Sequence, residues 1–473
     1  MLALTAAFAV AVAARLTEAE SVPAIPPEVR KNAESLREKA FAGTRAVEWA
    51  RGLTDQAGAR LPASPGDRAS IEWGLATLKA LGFANVRAEK VRTNTWQRGV
   101  ETGEVTAPYP QKLFLTALGG SVGTPDSGLE AEVLEVGSLD ELDTRKEAEV
   151  RGKIVFFNKR MRRTPDGTGY GEAVRVRGAG ASRGAKLGAV GVLIRSIGTD
   201  SNRTPHTGAL RYEEAIAKIP AAALSNPDAD LLERLGREGK PVRVRFTLGC
   251  RDRGQTESAN VIGEIRGRDK PEEIVLLACH RDSWDLGEGA IDDGAGCGVI
   301  IEAARLISGM TPPPRRTIRV VLFANEENGL AGGRSYSTDH EDELARHVAA
   351  LEADLGSGQP IGFSWNAGPS AEPLVREIAS LLEPLGAGDV RSTGAGGADI
   401  ARLILAGVPL FSVRQDASRY FDWHHTSNDT FDKIEPESLD RMTAAVAAFA
   451  YVAASVPEPF EKIPVEKRVL PRW

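Results

Sequence analysis

From about residue 258 onward, near-continuous apolar runs alternate with helical stretches. The runs are IVLLAC (274–279), TIRVVLFA (317–324), VAALEA (348–353) and VPLFSV (408–413), and the helical stretches cover 293–308, 372–384 and 436–455. A strand with one wet face would alternate apolar and polar residues. Strands apolar throughout are buried on both faces, and strands separated by helices pair in parallel. This half of the chain is therefore expected to be α/β, a mostly parallel central sheet flanked by helices. Chemistry in such sheets gathers beyond the carboxyl ends of the strands.

Metal-binding residue types stand at those ends. The first run leads into His280-Arg281-Asp282, the second into Asn325-Glu326-Glu327, the third into Asp354, and the segment after the fourth into His424-His425. Asp292-Asp293 opens the helix at 293–308, and three of the six histidines fall in these places. A single such aspartate is usually a cap or turn residue; the whole set at one sheet edge is not explained that way. Imidazole and carboxylate without thiolate suit catalytic zinc. A bridging carboxylate can hold two ions that acidify a water and polarise a carbonyl, while a carboxylate that binds neither moves the proton. Glu326 and Glu327 can divide ligation and base work, because successive residues beyond a strand point in different directions. Asp282 is placed to accept the second ring proton of His280 and so set its tautomer.

The remainder bounds the organisation. Residues 1–14, MLALTAAFAVAVAA, are too short to span a bilayer and read as the apolar core of an export signal with a small-residue site at Ala11-Val12-Ala13, though no basic residue precedes it. A secreted or periplasmic location is expected, with no stable membrane insertion. After a linker at 22–27, helices are expected at 28–58 and 67–81 and a strand at 84–96. Residues 118–250 carry short strands at 129–136, 153–157 and 190–195, dense glycine and no metal-type cluster, His206 being the only histidine there. They are expected to form an inserted domain that walls the cleft without a catalytic residue, dividing a catalytic domain into 22–117 and 255–473; continuation of one sheet is the alternative. A net charge of −6 gives no basic excess and excludes nucleic acid as a natural partner. Cys250, Cys279 and Cys297 fit no zinc-finger spacing, and the latter two are expected as buried thiols, with a single disulfide as the alternative.

Four strings carry a resemblance: ACHRDSWDLGEGAIDDGAG (278–296), FANEENGLAGGRSY (323–336), LEADLGSG (351–358) and HHTSNDT (424–430). They resemble the co-catalytic, two-zinc peptidases that include secreted bacterial aminopeptidases and glutamate carboxypeptidase. RLPASPGDRASIEWGLATLKALGFANV (60–86), TWQRGVETGEV (95–105) and GGADIARLILAGVP (396–409) look most like the carboxypeptidase Q branch, and 150–250 resembles the protease-associated domain inserted in it. The resemblance implies the zinc exopeptidase fold and two zinc ions per chain. His280 and Asp354 would bind one ion and Glu327 and His425 the other, with Asp292 bridging ahead of a cis peptide to Asp293. It makes Glu326 the general base and puts His424 where some relatives donate to the oxyanion, a position held by tyrosine in the glutamate carboxypeptidase branch. It implies hydrolysis of dipeptides or short peptides with free termini, and a homodimer. An aminopeptidase of the same family, or a non-catalytic binding protein on the same scaffold, are the alternatives.

Overall fold

The computed structural model describes residues 25–392 and 396–471; the expected export signal lies outside them. The chain forms a mixed α/β structure built on two eight-stranded sheets that share no strand. In the first, strands Arg316–Phe323, Lys270–His280, His347–Glu352 and Leu410–Gln415 lie side by side and parallel. These are the four apolar runs of the sequence. Antiparallel strands extend the sheet on both sides, Arg251–Ile265 and Ala84–Gln97 on one and Pro360–Asn366 on the other.

The double-sided burial expected of these strands is present. Val275, Leu277 and Cys279 face one core, shared with helices Ala295–Ser308 and Pro436–Ser455, while Leu276 and Ala278 face a second core with Tyr336, Leu344 and Ile404. With side chains alternating and both faces covered, only the strand ends stay open to chemistry. The helix expected over 28–58 is two helices, Pro27–Phe41 and Ala46–Ala57. Gly43 separates them at φ 132°, a backbone angle that a residue with a Cβ rarely adopts. Among the described residues no helix is long and apolar enough to cross a membrane.

The second sheet has its own parallel centre, Leu129–Val136, Ile154–Phe157, Gly191–Arg195 and Ala221–Leu224. It also takes in Glu101–Ala107, Gln111–Leu113 and Leu115–Ala117, so its strands begin ahead of residue 118. The chain enters and leaves it side by side. Ala84–Gln97 pairs with Arg251–Ile265 in the first sheet, and Glu101–Ala107 pairs with Arg243–Leu248 in the second. At the crossing Gly249 N–H donates to the Val100 carbonyl at 2.9 Å, and a Cβ on Gly99 would lie 2.4 Å from the Gly249 oxygen, so glycine is required there for the two backbones to meet.

Candidate metal centre

His280 is the last residue of strand Lys270–His280, and Asp354 follows the end of the neighbouring strand His347–Glu352. His280 Nδ1 stands 3.1 Å from the Asp282 carbonyl. That oxygen can only accept, so it takes the Nδ1 proton and leaves a lone pair on Nε2. Nε2 faces Asp292 Oδ1 at 3.1 Å and Asp354 Oδ1 at 3.3 Å. The Asp282 carboxylate, expected on the ring, lies 3.7 Å from Nδ1. It accepts instead from the backbone N–H groups of Glu326, at 3.0 Å, and Glu327, at 3.3 Å. The residue thus holds the histidine by its carbonyl and the glutamate turn by its side chain.

Asp292 sits on a loop gripped from two sides. Asp429 Oδ1 accepts from Ala290 and Ile291 N–H, both at 2.8 Å, and the buried Arg60 guanidinium donates to the carbonyls of Arg281, Glu288 and Gly289. The Asp292–Asp293 peptide is cis, as the resemblance implies. Asp293 Oδ2 accepts from His280 N–H and Oδ1 from Gly296 N–H, joining strand end to helix start. Cys279 and Cys297, expected as thiols, form a disulfide at this junction; the fold brings their Cα atoms to 5.2 Å.

The other pair comes from loops. Asn325 adopts φ 58° and turns the chain after strand Arg316–Phe323, so that Glu327 Oε2 reaches His425 Nε2 at 2.9 Å. His425, itself at φ 61°, has Asp292 Oδ2 at 3.4 Å from its Nε2. Asp292 therefore turns one oxygen toward His280 and Asp354 and the other toward His425 and Glu327. His424 Nε2 lies 3.6 Å from the same Asp292 oxygen, and its ring stacks on His425 at 3.5 Å between centroids. The structure thus collects His280, Asp292, Glu327, Asp354, His425 and His424 in one place, with Asp282 and Glu326 beside them.

The electrostatics of this cluster fit cations. The carboxyl groups of Glu326, Glu327 and Asp354 are pushed up from the usual carboxylate range, first by burial and then by neighbouring carboxylates, with His280 opposing. Asp292 Oδ2 and Glu327 Oε1 are buried without a hydrogen-bond partner. Buried carboxylate oxygens normally have partners, and an orphaned one facing an imidazole lone pair, as Asp292 Oδ2 faces His425 Nε2, fits a metal. Burial holds the His424 imidazole down to about 3, so it is neutral.

The second sheet's unit reaches the site through contacts that no sequence motif marks. Thr207 N–H donates to the His425 carbonyl at 3.0 Å, and the Thr207 carbonyl faces His425 Nδ1 at 3.3 Å. His206 Nδ1 stands 2.7 Å from the His424 carbonyl, with its Nε2 on Asp200 at 2.6 Å. Arg163 pairs with Asp422 at 2.6 Å on the same loop. The His206 ring thus meets the His424 backbone and the Asp200 carboxylate. Tyr170 and Arg177 of the same unit line the site behind His424. Their partners lie so far along the chain that no local sequence signal marks them.

Comparison with known proteins supplies the context. The model of peptidase family M28 matches residues 260–450. Carboxypeptidase Q of Mus musculus is 37% identical over 406 residues, covering 86% of this chain and 85% of the mouse protein. Carboxypeptidase Q of Homo sapiens is 36% identical over 417 residues, covering 88% and 87%. The crystal structure of a peptidase M28 precursor from Shewanella amazonensis SB2B superposes with a TM-score of 0.91 at 43% identity, covering 92% of this chain and 99% of that one.

Proposed function

The chain belongs to peptidase family M28, and on that premise we propose that it is a two-zinc exopeptidase acting on dipeptides or short peptides. The observation that carries this reading is Asp292, with one carboxylate oxygen toward each of two histidine–carboxylate pairs. His280 and Asp354 would hold one zinc, Glu327 and His425 the second, and Asp292 both. Zinc bound there lowers the pKa of water and polarises the scissile carbonyl.

The rest of the work falls to the chain's own groups. Glu326 is fixed through its backbone N–H by Asp282, and its carboxyl is raised by burial, which gives it a proton affinity suited to a base. It takes the proton from the attacking water and delivers it to the leaving amine. His424 is neutral and is the candidate donor to the developing oxyanion. We read the second sheet as a protease-associated domain that closes one side of the cleft. The Cys279–Cys297 disulfide supports an oxidising, extracytoplasmic setting.

The test is zinc stoichiometry by mass spectrometry, together with a dipeptide panel that includes N-blocked and C-blocked analogues. About two zincs per chain and zinc-dependent hydrolysis are expected. A purified chain that holds no zinc and cleaves no dipeptide after zinc addition sinks the reading.

A further inference from the structure

An arginine on the crossing between the two sheets bonds to both of them. Arg98 follows strand Ala84–Gln97 of the first sheet and precedes strand Glu101–Ala107 of the second, and its side chain is 11% exposed. Its Nε and Nη2 clasp the two oxygens of Asp285, at 2.9 and 2.7 Å. Nη1 donates to Glu101 Oε1 at 2.9 Å, to Thr116 Oγ1 at 2.6 Å and to the Ala117 carbonyl at 2.9 Å. Nη2 also reaches Thr207 Oγ1 at 3.3 Å, and that hydroxyl donates to the same Ala117 carbonyl at 2.8 Å. The guanidinium thus uses every nitrogen and meets a carboxylate from each unit.

Two of these partners lead to the metal centre from opposite sides. Asp285 lies on the loop that runs from His280 to Asp292. Its neighbour Trp284 is buried in the core of the second unit, so close to Gly119 that a Cβ there would lie 1.9 Å from the indole Cη2. An ion pair and a buried ring therefore seat the ligand loop on the second unit. Thr207 holds His425 by its backbone: its N–H donates to the His425 carbonyl at 3.0 Å, and its carbonyl faces Nδ1 at 3.3 Å. A carbonyl only accepts, so it takes the Nδ1 proton and leaves the Nε2 lone pair toward Asp292 and Glu327. An ammonium gathers its donors on one atom. Only a rigid guanidinium fork can clasp Asp285 through both oxygens while it reaches Thr207.

We propose that Arg98 is a positioning residue for the metal centre: by bonding Asp285 and the Thr207 hydroxyl at once, it fixes the His425 imidazole against Asp292 and so sets how tightly the Glu327–His425 side holds zinc. Seating of the second unit then becomes a condition for tight zinc binding, beyond its part as a wall of the cleft. The inference rests on the two-zinc reading of the site.

The test measures zinc affinity of the full chain by chelator competition, beside the thermal stability of the zinc-free chain. Thr207→Val keeps the size and both backbone contacts with His425 but removes the hydroxyl. It is expected to weaken one of the two zincs by about 10-fold and leave the other near wild type. Thr207→Ser restores the hydroxyl and is expected to bind within about 2-fold of wild type. Arg98→Lys keeps the charge, loses the fork and should weaken the same zinc by about 10–100-fold. Because both changes break one link, the double variant Arg98→Lys/Thr207→Val should be no weaker than Arg98→Lys alone. If the arginine variant does not fold, the valine and serine variants at position 207 decide the matter. Zinc affinity untouched by Thr207→Val, a serine variant as weak as the valine one, or losses that add in the double variant overturn the proposal. So does a fall in zinc-free stability with affinity unchanged, which would make Arg98 a tie between the sheets and nothing more. A wild type that binds no zinc would remove the two-zinc reading itself, and this inference with it.

Discussion

The two halves of the proposed metal centre are built by different means. His280 and Asp354 leave adjacent parallel strands, where the ladder that carries Ala278 beside Glu352 also sets their spacing. Glu327 and His425 stand on loops, His425 at a positive backbone angle and Glu327 two residues after one, and both are held by atoms outside their own segments. The Asp282 carboxylate fixes the glutamate turn, and Thr207 of the second sheet fixes the histidine. A ligand at a strand end takes its position from the sheet; a ligand on a loop needs a tie for each orphaned backbone group. The loop half should therefore be the half that mutation can loosen, and variants can test that asymmetry.

The largest effects are expected within the adjacent glutamates, which belong to the same loop but are assigned opposite failures. Glu326→Gln keeps shape but cannot take a proton, so turnover should fall by about 10²–10⁴-fold with zinc content and thermal stability near wild type. Glu327→Ala should lose or loosen one zinc, and its activity should return partly in excess zinc. Zinc by mass spectrometry with peptidase rates on both variants reads this out. Zinc loss from Glu326→Gln with full retention in Glu327→Ala would reverse the two roles.

Asp282→Asn should cost about 10–100-fold in metal affinity or activity, the usual range for groups that orient ligands. The Asp282 carbonyl that holds His280 is untouched by the change, whereas the carboxylate that holds Glu326 and Glu327 is replaced. Zinc titration should show one weakened site and one near wild type. Equal weakening of both would erase the distinction between the halves.

His206→Ala probes the tie from the second sheet. With saturating zinc, turnover should stay within a few-fold, because His206 meets only the His424 carbonyl and Asp200. Affinity for one of the two zincs should drop by about 10-fold. A loss of several orders of magnitude with zinc still bound would put the residue in the chemistry.

The smallest effect lies away from the metals. His340, just past helix Ala331–Asp339, binds Glu343 at 2.6 Å and Glu89 at 2.8 Å. Burial lowers its pKa, but those two carboxylates overcome it and raise the imidazole from 6.5 to about 9. A raised folded-state value means that the stabilisation is complete below about 6.5 and is lost as pH climbs through about 9. Wild-type Tm should fall by a few degrees across that window, and His340→Gln should flatten the slope while leaving zinc content unchanged. An equal slope in both proteins would remove His340 from the pH response.

Much of the sheet-anchored half was legible in the sequence. IVLLAC and VAALEA are apolar on both faces, which only a covered sheet satisfies, and His280 and Asp354 stand where those runs stop. Residue type and position also marked the pairs Glu326-Glu327, Asp292-Asp293 and His424-His425, and the resemblance chose among them. The partner of the Asp282 carboxylate was not legible, because residue spacing favours the nearby ring and only the folded turn presents two N–H groups to the side chain. The break at Gly43 and the Cys279–Cys297 bond escaped for similar reasons: one depends on a backbone angle, the other on a helix packed against a strand end.

The parallel α/β sheet and the kinds of group at its carboxyl edge follow from local patterns in the chain. Burial and backbone hydrogen bonding act with the short period of a strand or helix, so a local pattern records them. Which atoms secure the loop half follows from the folded chain alone. His206 and Thr207 meet His424 and His425 across 218 residues of chain. Such contacts arise from long-range packing that overcomes the entropy of closing the chain, and no local run of residues encodes them.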